Sequence, residues 1–123
     1  MGADQYMNVG RGKTAQIAFD KVAANARHNH GHGGYSGTIA EKYSMVEFPR
    51  PKGMRAKTMV QAVKDMSRIG FDDDGNPKTD AVQAKYPKLP IAAMFEVYND
   101  KWGPSLAIEL KTGEYLFVGW ASS

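Results

Sequence analysis

The sequence predicts an α+β fold, and three observations predict it. Apolar residues recur at three- and four-residue spacing in two separate stretches, residues 14 to 30 and 57 to 69, as on the buried face of a helix. The last third instead alternates apolar and polar positions between turn signals, the period of paired strands. Between these patterns lie short breaker-rich connections and no internal repeat, so one domain is expected from 123 residues, 42% of them hydrophobic. The expected architecture is a three-stranded antiparallel C-terminal meander plus an additional strand, packed with two main amphipathic helices.

Residues 1 to 13 read as a flexible N-terminal arm, and residues 14 to 123 as the single domain. The arm lacks periodicity, and Asn8-Val9-Gly10-Arg11-Gly12-Lys13 carries two glycines and two cations. Gly10-Arg11-Gly12-Lys13-Thr14 falls short of a P-loop, lacking the first glycine at the required distance and a preceding strand. Thr14 then caps a helix whose apolar face is Ala15, Ala18, Phe19, Val22, Ala23 and Ala26. Arg27, His28 and His30 suit the negative end of its dipole, and Gly31 is a natural stop.

The stretch from His28 to Lys42 holds all three histidines and four of the thirteen glycines. Glycines there permit positive φ or close backbone approach to a ligand, and successive exposed amides can form an anion nest. Thr38-Ile39-Ala40-Glu41 fits a capping box, with Glu41 reaching back to the amide of Thr38. The same residues also fit the start of an extended strand running to Phe48, and Tyr43 to Phe48 is strand in either reading.

Pro49-Arg50-Pro51-Lys52-Gly53-Met54-Arg55 is a basic connection held extended by its prolines. The second helix, about Lys57 to Ile69, places Met59, Ala62, Val63, Met66 and Ile69 on one side and stops at Gly70. Asp72-Asp73-Asp74-Gly75-Asn76-Pro77 misses the EF-hand pattern, because Pro77 and Gln83 stand where glycine and glutamate are required, and is an acidic turn. Thr79 to Tyr86 fits a short helix. Ile91 to Tyr98, Ser105 to Leu110 and Tyr115 to Trp120 are the three strands of the meander, joined by Asn99 to Pro104 and Lys111 to Glu114. Both faces of the last strand are apolar, which places it centrally or covers it on both sides.

Composition narrows function by exclusion. There is no cysteine, hence no disulfide, thiol catalysis or cysteine-based zinc site. No apolar run is long enough for a membrane span and no signal peptide is visible, so a cytoplasmic location is expected. Residues 1 to 57 carry nine Lys/Arg against four Asp/Glu, and the remainder seven against nine, so the first half is the one that favours an anionic partner. A net charge of +3 without a dense basic stripe does not favour nucleic acid.

Gly31-His32-Gly33-Gly34-Tyr35-Ser36-Gly37-Thr38-Ile39-Ala40-Glu41-Lys42, preceded by an alanine-rich amphipathic helix, resembles a motif of small, mostly uncharacterised proteins encoded by bacteriophages. The resemblance implies a phage (viral) origin and work inside a bacterial host, where small accessory proteins antagonise host machinery or defence systems. It implies no catalytic assignment and no cofactor.

Three chemistries fit the loop. A binder would hold a phosphorylated small ligand, such as a nucleotide, or another host component with Gly33, Gly34, Tyr35, Ser36, Gly37, Thr38, Lys42 and Arg27, with Tyr35 or Tyr43 stacking on a base, and this non-enzymatic host-takeover or anti-defence reading is the expectation. A small enzyme acting on a nucleotide-like substrate would use His32 and Glu41 as acid and base. An inhibitor of a host enzyme would use exposed aromatics such as Tyr35 or Trp102. His28, His30 and His32 alternate as metal ligands in an extended segment would, with Glu41 nearby, but complete no recognised ligand set, and no metal is assigned. The oligomeric state is left open, a homo-oligomer included.

Overall fold

The structure, a computed structural model, describes residues 2–30 and 36–123. Its elements are β1 (Ala3–Arg11), α1 (Ala15–His30), a 3-10 turn (Ile39–Glu41), β2 (Met45–Phe48), α2 (Ala56–Met66), α3 (Asp80–Lys85), α4 (Ile91–Asn99), β3 (Ser105–Lys111) and β4 (Glu114–Ser122). The fold is α+β, with a four-stranded sheet in the order β1-β4-β3-β2. β4 pairs antiparallel with both neighbours, and β2 joins β3 in parallel.

Helices cover both faces of this sheet, which is why its central strands are apolar on both sides. On one face Ala15, Ala18, Phe19 and Ala23 of α1 and Ile39 of the 3-10 turn pack on Tyr6, Ala107, Tyr115, Phe117 and Ala121. On the other, Met59, Val63 and Met66 of α2 and Ile91, Met94, Phe95 and Tyr98 of α4 pack on Leu106, Ile108 and Val118. The expected faces of the two main helices are therefore the buried ones, and Thr14 caps α1, its Oγ1 accepting from the Ile17 amide at 3.2 Å.

Two expectations are corrected. Residues 3–11 are no flexible arm: they form a full edge strand in register with β4, from Ala3 opposite Ser122 to Arg11 opposite Glu114. Only Tyr6 and Gly10 of that strand are buried, too few for an alternation to register in the sequence. Gly10 marks close packing rather than a linker, since a Cβ there would lie 2.5 Å from Val22 Cγ2 of α1.

The second correction concerns Ile91 to Tyr98, which is helix α4 and not the first strand of a meander. Ile91, Met94, Phe95 and Tyr98 are its buried residues, spaced as one helical face, while Ala92 and Ala93 are exposed. Alanine fits either period, and it disguised the helix as an alternation. The first amide of α4, that of Ile91, donates to the Leu89 carbonyl at 3.0 Å and to the Gln83 side chain at 3.2 Å. The sheet does hold three antiparallel strands and one more, but its third antiparallel member is β1.

The acidic turn closes on itself, with Asp72 Oδ1 accepting from the amides of Asp74 and Asn76, both at 2.9 Å. Among the described residues no helix is long and apolar enough to cross a membrane.

Candidate functional site

One end of the sheet gathers the candidate residues. β2 and β3 begin there, tied by the Ser105 amide to the Ser44 carbonyl at 2.9 Å, and the Gly37 amide binds the Ser122 carbonyl at the end of β4 at 2.8 Å. Gly37 has φ +71°, and a Cβ on it would come within 2.5 Å of Asp4 Oδ2. Glycine is required here so that the loop can lie against the sheet.

Ser36, Thr38 and Glu41 close a small network around the 3-10 turn. Thr38 is extended and its Oγ1 accepts from the Ala40 amide, as a capping residue does. Glu41 reaches back two residues further than the capping box predicts: its Oε2 accepts from the amide of Ser36 at 3.2 Å and from its hydroxyl at 2.7 Å. The Ser36 and Thr38 hydroxyls are 2.9 Å apart. Thr38-Glu41 thus opens a single helical turn in which Ile39 and Ala40 are buried, and Ile39 plugs it into the α1-side core.

The two cations expected to meet an anion turn elsewhere. Arg27, from the last turns of α1, donates through Nε to the Ala40 carbonyl at 3.2 Å and through Nη2 to the Lys42 carbonyl. Its guanidinium carbon lies 4.7 Å from the ring centroid of Tyr43. Lys42 is only 1% exposed, and its Nζ donates to the carbonyls of Asp100 at 2.8 Å and Gly103 at 3.0 Å. Burial pulls this ammonium down to about 8, while the charge of Asp100 works in the opposite direction.

Lys42 therefore fastens the turn between α4 and β3 to the start of β2. Asp100 Oδ1 organises that turn by accepting the amides of Trp102 and Gly103 at 2.9 and 3.0 Å. Two aromatic rings at this end of the sheet face solvent. Tyr43 is 81% exposed beneath Arg27, and Trp102 is 64% exposed with Lys101 Nζ 5.2 Å from its ring centre.

Of the predicted ligand-binding residues, the structure thus brings Arg27, Ser36, Gly37, Thr38 and Lys42 together, while Gly33, Gly34 and Tyr35 lie outside the described residues, as does His32. Donors of Ser36, Gly37, Arg27 and Lys42 are turned onto protein acceptors: the Ser36 amide and hydroxyl onto Glu41, the Gly37 amide onto Ser122, and both cations onto backbone carbonyls. Among the described residues no group of three or more His, Cys, Asp or Glu is arranged to hold a metal ion.

Asp100 was missed as a site residue, whereas Tyr43, offered as a ring to stack on a base, stands exposed beneath Arg27. The turn chemistry of Asn99 to Pro104 was visible in the sequence, but its meeting with Lys42, across 58 positions, leaves no local signal. No protein-family model, curated protein or solved structure matches this chain.

Proposed function

We propose that this chain is a small phage accessory protein that acts without catalysis, in the host cytoplasm, by docking a host protein at the sheet end formed by Arg27, the Ser36–Tyr43 segment and Trp102. The observation that carries the reading is the pair of exposed rings, Tyr43 and Trp102, each beside a cation and mounted on segments fastened together by buried Lys42. Tyr, Trp and Arg are the side chains that dominate binding energy at protein interfaces, and a rigid mount lowers the entropy lost on docking. The excess of cations in residues 1 to 57 suits a partner surface with acidic residues around an apolar pocket.

The engagement of Arg27 and Lys42 with carbonyls favours a host protein over a phosphorylated small ligand. Affinity purification from a bacterial cytoplasm followed by native mass spectrometry tests the reading. The expected result is a stoichiometric host polypeptide, lost when Tyr43→Ala and Trp102→Ala are combined. A nucleotide-sized mass that survives the double variant and disappears in Gly34→Val would overturn it in favour of ligand capture by the glycine loop.

A further inference from the structure

We propose that β1 is a dimerisation strand: its open edge pairs antiparallel with the β1 edge of a second copy, with Met7 opposite Met7, joining two four-stranded sheets into one. This inference is independent of the docking surface above.

The pairing of β1 with β4 decides which backbone groups face outward. Gly2 and Ser123 exchange both hydrogen bonds, each at 3.1 Å, and the Gly12 amide binds the Gly113 carbonyl at 3.0 Å. In an antiparallel ladder such bonded positions alternate, so the even-numbered residues of β1 spend their amides and carbonyls on β4. Those of Ala3, Gln5, Met7, Val9 and Arg11 point away from the sheet. Along this edge Met7 is 46% and Val9 54% exposed, and no proline or lysine guards it between Ala3 and Arg11.

The strand is complementary to itself. With Met7 on the two-fold axis, Ala3 lies opposite Arg11, Gln5 opposite Val9, Tyr6 opposite Asn8 and Asp4 opposite Gly10. All nine residues are then paired, and every outward amide and carbonyl meets a partner. The register also keeps the faces matched, because directly opposed residues share a face. On the α2/α4 side, Met7 and Val9 of the two copies form one apolar cluster.

On the α1 side the charges match. A groove of about 810 Å³ runs between β1 and α1, lined among others by Asn8, Gly10, Arg11, Lys21 and Asn25. Gly10 contributes no side chain to it, and the partner's Asp4, an exposed side chain set opposite Gly10, turns from its own Gly37 to enter the groove beside Lys21. The two-fold axis repeats that contact, so each copy gives one carboxylate and receives one.

Sedimentation or native mass spectrometry of the full chain across the micromolar range tests the proposal. Wild type should show twice the chain mass. Val9→Pro removes an outward amide while leaving the ladder to β4 intact, and Met7→Lys places two like charges on the axis; both should be monomers with unchanged circular dichroism. Lys21→Asp should weaken the dimer about tenfold, and Asp4→Lys in the same chain should restore it. A wild type that stays monomeric, or a dimer that persists in Met7→Lys, overturns the proposal; Met7→Lys, at an exposed position, carries the test should Val9→Pro fail to fold.

Discussion

The two faces of the sheet are packed by different means. On the α1 face the contacts come from alanines, from Gly10 and from the edge-on pair Phe19 and Phe117, whose ring centres are 5.7 Å apart at 66°. On the α2/α4 face the filling is Met59, Met66 and Met94 with Leu106 and Ile108, all fully buried. The first face depends on close approach of helix to strand, where an added methyl has no place to go. The second depends on long, unbranched side chains that can rearrange. One sheet thus carries a rigid side, from which the candidate site is hung, and an adaptable side.

Phe117→Ala should break the rigid side most severely, lowering the unfolding free energy in urea by about 4 kcal/mol, since the ring is completely buried against Phe19. Gly10→Val comes next, at about 3 kcal/mol, because the new side chain meets Val22, the Ala18 carbonyl and the Phe117 ring.

Lys42→Met, at the border between the site and the core, should cost about 2 kcal/mol by leaving the Asp100 and Gly103 carbonyls without their donor. Its signature is the pH profile. Lys42 titrates at about 8 when folded and at its ordinary 10.5 when unfolded. Between those values the unfolded chain binds more protons, so the stability of wild type should rise relative to Lys42→Met from pH 8 to 10.5 and level off above.

The adaptable side should respond less. Met94→Leu, though fully buried, should change stability by no more than about 1 kcal/mol. A loss comparable to that of Gly10→Val would erase the distinction between the faces. The smallest effect belongs to Asp65, held down to about 2 by the Tyr86 hydroxyl first and then by Lys85. Its contribution is present above pH 3.8 and lost as pH falls toward 2, so wild type and Asp65→Asn should converge in acid denaturation only within that window.

The same contrast explains what the sequence disclosed. α1 and α2 were legible because each repeats its apolar face over several turns, and β3 and β4 because branched and aromatic residues fill them. β1 was illegible because its burial is met by Tyr6 and a glycine, and α4 because alanine serves both periods. At the site, Thr38 as a cap and the inclusion of Arg27 and Lys42 were readable from local spacing. The direction in which their charges point was not, since the carbonyls that receive the Lys42 ammonium lie in another part of the chain. Trp102 and Tyr43 could both be singled out as aromatic residues in the sequence, but their exposure, and Arg27 lying over the Tyr43 ring, come only from the fold.

The register of β1 with β4 also sets the order in which the molecule can be made. Tyr6 faces Gly119, so β1 pairs with a strand synthesised long after it. Its partner does not exist until translation has passed β3, and the face on which α1 packs needs Phe117 and Ala121 from that same later strand. Closing so long a loop carries an entropic cost that only the finished sheet repays. Folding of this sheet therefore waits for β4, and a chain cut short after Lys111 would keep α1 and β1 but lack the strand that gives both a surface to fold on.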